Sequence, residues 1–259
     1  MTKKSKTKEL EVKNNYAVSS DLMEELSGMG LGAGDNIDNE DILVPKLLLT
    51  QGISEIVAKG EASAGVYINS ITKADHGKNL EVIVLDSYKT WQVFKKTKDD
   101  SKPQYVETLD YEGNESLEVN EELENGDLIH RDKVLGYYVL KLDEIKQGAA
   151  FPYIIDFKRT SRRAGQSLAS DFAKLRTQNL PSFAKIFTIG TEFVQDQFNY
   201  YVKTVDMGRT IEREELQVVK QWLSELKQNK SRMKGDDSDL QEKEQEQKEI
   251  EAPKDEIQF

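Results

Sequence analysis

The chain has no cysteine and only two histidines. The first absence excludes disulfides and thiolate metal sites and fits a reducing cytosol. The second leaves His76 and His130 too few for most imidazole-based metal or acid–base centres, and both sit in polar surroundings that read as surface. No apolar run approaches the roughly 18 residues of a membrane-spanning helix. The opening MTKKSKTKELEVKNN carries charge but not the apolar core of a secretory signal. P-loop, kinase and serine-nucleophile signatures are all missing, which argues against an NTPase or hydrolase. The glycine run GMGLGAG at 28–34 lacks the preceding strand that a dinucleotide-binding loop requires, and it reads as a linker. Nothing in the pattern calls for a cofactor, a metal or a catalytic residue.

What is present is charge, and it is segregated. The net charge is −11, yet residues 97–127 hold eleven acidic and two basic residues and residues 236–259 hold ten acidic and three basic. The rest of the chain is therefore mildly basic. From Asp156 to Arg176 there are six basic residues against two acidic ones. A cationic body beside acidic appendages matters more for partner choice than the total.

Residues 1–40 form an expected flexible arm with a short helix at 20–26, capped by Ser20. The folded domain is expected over 41–230. An extended segment at 44–52 leads to strands at 66–71, 80–85 and 88–96, a meander with short turns of the kind an antiparallel sheet shows. The acidic stretch 97–127 reads as a long excursion between strands, with a small hairpin near Tyr105 to Thr108. Strand character returns at 134–142. A further strand follows in which Phe151, Tyr153, Ile155 and Phe157 alternate with Pro152, Ile154, Asp156 and Lys158. The basic turn Lys158-Arg159-Thr160-Ser161-Arg162-Arg163 then opens a helix whose Ala164, Leu168, Phe172 and Leu175 stack on one face. Two more strands, near 183–189 and 197–205, precede an amphipathic helix at 212–229 whose Trp222 reads as core. Residues 231–259 lack core-forming periodicity and read as a disordered acidic tail.

Strand, cationic turn, helix and aromatic strands together suit a surface that grips a phosphate backbone and stacks bases. The stacking candidates are Trp91, Phe94, Tyr137, Tyr153 and Tyr200. The phosphate-binding candidates are Lys89, Lys95, Lys158, Arg159, Arg162, Arg163, Lys174 and Arg176. Arg162 and Arg163 fall in the first turn of the helix, where free backbone N–H groups also favour anions. Strand alternation does not say which face is wet, so some of these aromatics belong to the core.

The tail ends in Asp255-Glu256-Ile257-Gln258-Phe259, an acidic pair followed by apolar side chains and a terminal Phe. As a peptide ligand this ending makes sense: the ring enters an apolar pocket, and the carboxylates of Phe259, Asp255 and Glu256 meet a basic rim. The ending resembles the tip of bacterial and phage single-stranded DNA-binding proteins, with Gln258 where a Pro is common in the bacterial form. The body is closer to the divergent phage-encoded versions than to the compact bacterial one. The resemblance implies a β-rich α+β protein, an OB-fold-like antiparallel barrel with added helices and the disordered acidic C-terminal tail. It implies protection of single-stranded DNA without marked sequence preference during replication and recombination, in a bacterial host cytoplasm. Partner enzymes would be recruited through Asp255, Glu256, Ile257 and Phe259. A homo-oligomer is compatible with this reading.

Two rivals remain open at this level. A strand-annealing recombination protein or assembly adaptor would share the β-rich plan. A magnesium-dependent nuclease would use acidic-x-Lys tripeptides, of which Asp143-Glu144-Ile145-Lys146 and Asp156-Phe157-Lys158 contain instances.

Overall fold

The computed structural model describes residues 43–98, 102–196, 198–229 and 234–235. The expected N-terminal arm, its helix, the glycine linker and the tail tip lie outside the described residues. A two-residue strand at Lys234–Gly235 pairs in parallel with Leu43–Val44.

The frame is one long antiparallel pair. β5 (Leu80–Lys96) and β8 (Leu128–Lys141) stay in register from Val82 opposite Lys141 to Lys96 opposite Leu128. The sequence reading divided β5 into two strands around Asp86 and Ser87. Instead, a bulge between Val84 and Asp86 absorbs one extra residue within a single strand. The bulge changes the phase of alternation: Val84 opposes Val139, whereas Ser87 opposes Tyr137. After the bulge, the odd residues of β5, Trp91 among them, share the inner face with the odd residues of β8.

Both edges of this pair are occupied. β10 (Lys185–Gln195) lies against Leu80–Ile83, and β6 (Gln104–Asp110) lies against Thr90–Lys95. On the β8 side, β9 (Pro152–Phe157) covers Leu135–Leu140 and β7 (Asn120–Glu122) covers Leu128–His130. β11 (Asn199–Thr210) extends the sheet beyond β10. The acidic stretch is therefore not only a solvated excursion. Its ends form β6 and β7, and Tyr105 and Thr108, expected to flank a small hairpin, lie within β6 with their hydroxyls 2.9 Å apart.

A smaller antiparallel sheet of β2 (Leu47–Leu49), β3 (Tyr67–Asn69) and β4 (Asp75–Gly77) joins β9 through the Ile154 N–H, which donates to the Pro45 carbonyl at 2.9 Å. Its other side approaches β10 and β11. There the contacts run through side chains. Tyr67 donates its hydroxyl to the Gly190 carbonyl at 2.9 Å, Thr191 donates to the Gly65 carbonyl at 2.8 Å, and the Gln51 amide bonds the Tyr201 carbonyl and N–H. The expectation of an antiparallel, β-rich α+β protein with added helices holds, but the barrel is not closed. At the last seam no backbone ladder forms among the described strands, and the Tyr201 ring packs directly on Gly65.

Helices cover both faces of the central strands. α3 (Arg162–Thr177) lays Leu168 and Leu175 on the inner core of Val82, Val84, Tyr137, Val139, Ile155, Phe157 and Phe187. α4 (Arg213–Asn229) lays Val219 and Leu226 on the outer core of Ile83, Leu85, Leu140, Ile154 and Ile186. Trp222 packs at the edge of this outer core, edge-on to Phe151 with ring centres 5.5 Å apart. Two short helices, α1 (Glu55–Ala58) and α2 (Leu142–Lys146), fill connections.

Candidate functional site

The inner face of the β5–β8 pair runs past the N-terminal end of α3. Gly165 lets the helix close on the sheet: a side-chain carbon there would come within 2.6 Å of Phe157 and 3.3 Å of Leu135. Leu135 opposes Lys89, and the next inner pair along the strands is Lys133 opposite Trp91. Beyond the helix end, this face therefore carries two lysines and an indole. Tyr111, which follows β6, completes the group. Its ring lies 5.6 Å from that of Trp91, with the Lys133 ammonium 3.6 Å from its centre and that of Lys89 at 5.7 Å. Trp91 is buried beneath and donates its indole N–H to the Asn114 carbonyl at 3.1 Å, while Tyr111 keeps part of its surface open.

The adjoining first turn of α3 is cationic and runs on from a 3-10 turn at Arg159–Ser161, so that the Arg162 N–H already donates to the Arg159 carbonyl. Ser161, at its N-cap, makes no capping bond and instead accepts the Lys203 backbone N–H at 3.1 Å. Arg162 and Arg163 are exposed there, and neither has an ion pair among the described residues. Lysines flanking a tyrosine, together with a cationic helix turn, can neutralise phosphates and offer an aromatic surface to a base.

The outer face of the same pair carries a different group. The Arg159 guanidinium lies 5.1 Å from the Phe94 ring centre and pairs with Asp132 at 2.5 Å. Lys158 donates to the Gln92 side chain at 3.1 Å. Arg159 has φ of 48°, a left-handed turn that carries the chain from the edge of the sheet onto its inner face. The basic turn thus divides: Lys158 and Arg159 serve the outer face, and Arg162 and Arg163 the inner one.

Burial corrects several stacking candidates. Trp91, Tyr137 and Tyr153 are buried: α3 and the small sheet cover the two tyrosines, and Tyr111 with the turn at Asn114 covers Trp91. Tyr137 donates to the Gly165 carbonyl at 3.0 Å, and Tyr153 to Glu144 at 2.8 Å. Phe94 is half-covered by Arg159 and Tyr105, and Tyr200 is half-buried on β11. Like Arg159, two further cations are already held: Lys95 by Asp127 at 2.9 Å and Lys174 by Asp171 at 2.7 Å. Arg176 is exposed at the far end of α3. Tyr111 and Lys133 were missed. The alternation of Arg131, Lys133 and Leu135 before the strand expected at 134–142 was the available signal for Lys133; Tyr111 was hidden in the acidic stretch.

The acidic-x-Lys tripeptides lie in ion-pair networks. Asp156 accepts the Tyr88 hydroxyl at 2.7 Å and faces the Lys46 ammonium at 3.5 Å. Burial pushes its carboxyl up, but Lys46, Lys158, the Tyr88 hydroxyl and Lys203 outweigh this and hold it below the usual carboxylate range. Glu144 bonds the buried Lys141 at 3.1 Å, and Lys141 also reaches His76 Nδ1 at 2.9 Å. His76 is thus not simply a surface residue. Since an ammonium only donates, Nδ1 accepts and the imidazole is neutral. His130 is half-buried between Asn120 and Asp132. No group of three or more His, Cys, Asp or Glu side chains is placed to hold a metal among the described residues, and no described helix is long and apolar enough to cross a membrane.

Fold and surface together define a β-rich α+β protein built on an open antiparallel sheet, with a cation–aromatic face beside a helix N-terminus. The chain belongs to the Pam3 phage gp34-like protein family, whose model matches residues 12–231. Neither the curated proteins nor the solved structures yield a match.

Proposed function

We propose that this phage-family protein binds single-stranded DNA without marked sequence preference. The reading rests on the half-open Tyr111 ring flanked by Lys133 and Lys89, next to the cationic first turn of α3 with Arg162 and Arg163. Bases stack on the ring, and phosphates meet the four cations. Service in replication or recombination, and recruitment of partner enzymes by the Asp255–Glu256–Ile257–Phe259 tip, belong to the same reading and draw on the resemblance of the tail.

The test is fluorescence anisotropy of a labelled oligo-dT at low and moderate salt. Full-length protein is compared with Tyr111→Ala and with a chain ending at Lys234. Loss of the ring weakens binding by about 1–3 kcal/mol, the usual worth of one stack. Removal of the acidic tail leaves binding intact or tighter. Absence of binding by the full-length and shortened chains at low salt overturns the reading.

A further inference from the structure

One end of the molecule carries an aromatic projection. The β10–β11 hairpin ends beyond Gln195, and Phe198 in its tip is 74% exposed, with Phe193 beside it at 49%. Phe193 packs on Tyr201, 5.2 Å between ring centres, which stiffens the base of the projection. The exposed charges on this tip are acidic, Glu192 and Asp196, and neither has an ion pair among the described residues. A ring held in water at a hairpin tip has no role in the fold of its own chain.

The opposite end carries a cleft. It is an open cleft between the β5 bulge and the C-terminal end of α3, with a volume of about 530 Å³. Its apolar lining is made by Leu85, Phe172, Leu180 and Pro181, of which Leu180 is 39% exposed. Arg176 stands on the rim, exposed and without an ion pair among the described residues. Asp86 shares that rim, its Oδ1 accepting the Ser87 N–H at 2.7 Å. The cleft is complementary to the hairpin tip: apolar space for a ring, and a guanidinium for a carboxylate.

The two features cannot meet within one chain. Ser182 lines the cleft, and β10, which starts three residues later at Lys185, runs through 11 residues to the tip. A strand of that length spans about 30 Å or more at some 3.4 Å per residue. Projection and cleft therefore sit at opposite ends of one strand.

We propose that the protein self-associates head to tail: Phe198 of one copy enters the cleft of the next, and Asp196 or Glu192 meets Arg176. Such a contact is heterologous, so an open assembly retains a free projection on its first copy and a free cleft on its last. Copies add in series, as a ring if the rotation closes and as a filament if it does not. This association does not depend on the DNA-binding reading.

Sedimentation velocity of the full chain over a concentration series tests it. The average mass rises above the 29.5 kDa of the monomer. Phe198→Asp and Leu180→Asp each hold the protein at monomer mass. An equimolar mixture of the two variants forms a dimer and nothing larger, because the first keeps an intact cleft and the second an intact projection. This mixture also shows that both variants are folded. Four results overturn the proposal: a wild-type chain that stays monomeric throughout, a Phe198→Asp chain that associates like wild type, a mixture that remains monomeric, or loss of association in Phe259→Ala with Phe198→Asp unaffected. The last would make the tail tip the occupant of the cleft.

Discussion

Gly136→Ala is the most informative single change in the frame. Gly136 sits opposite Tyr88 in the β5–β8 ladder, and the Tyr88 ring lies in direct contact with the place a side-chain carbon at 136 would occupy. The added methyl lifts the ring and breaks the 2.7 Å bond from the Tyr88 hydroxyl to Asp156. A hydrogen bond to a charged group contributes about 1.5–3 kcal/mol. Asp156 keeps Lys46 at 3.5 Å, so the carboxylate is weakened in its support and not stranded. Replacing glycine by alanine gains about 0.4–1 kcal/mol by restricting the unfolded chain. The balance is a loss of about 1–2 kcal/mol. Urea unfolding measures it, with a lower midpoint and an unchanged slope. The reasoning places the whole effect in the ring, so in a Tyr88→Ala background the same Gly136→Ala change is neutral or stabilising. An equal loss in both backgrounds refutes it, as does no loss in the wild type.

Four further outcomes are expected. Burial and the Lys141 ammonium hold the His76 imidazole below its ordinary value, against the opposing pull of Glu144, Asp143 and Asp75. The unfolded chain thus takes up a proton first as pH falls. Stability from this group is complete above the ordinary value of about 6.5 and declines as pH drops through the folded one, and His76→Gln flattens that part of a stability–pH curve. Asp156, also held low, adds a second decline below about pH 4, which Asp156→Asn removes from the same curve. Glu215 accepts the Glu212 N–H at 2.7 Å and holds Arg209, tying the end of β11 to the start of α4. Glu215→Ala costs about 1–2 kcal/mol in urea unfolding, the usual loss for a helix cap. If Lys89 and Arg163 each neutralise one phosphate, alanine at either lowers the salt slope of oligo-dT binding by about 0.7.

Local periodicity carried a large part of the fold. The alternation through Phe151, Tyr153, Ile155 and Phe157 yields β9, and the spacing of Leu168 and Leu175 yields the inner face of α3. Leu226 and Val219 likewise mark α4. These patterns are legible because each element buries its own stripe whatever its neighbours are. Asp86 and Ser87 look like a turn in isolation. They become a bulge only because β8 pairs on both sides of them. In the same way β6 and β7 arise from polar sequence, since the edges of a long hairpin supply partners for their backbone.

The candidate site was less legible. Arg162 and Arg163 could be read from the basic turn, and Lys89 from its place among aromatics. Trp91, Tyr137 and Tyr153 could not be sorted from exposed rings, because both faces of the central strands are covered and alternation names a face without saying what lies on it. Tyr111 joins Trp91 and Lys133 only through the return of the acidic stretch along β5. The sequence by itself determined the elements with a clear apolar period, the segregation of charge and the absence of cysteine chemistry, which depend on local composition and period. The tertiary structure alone decided which rings are wet, which cations are already paired and where the barrel stays open. Those outcomes depend on contacts between residues far apart in the chain, and no local pattern encodes them.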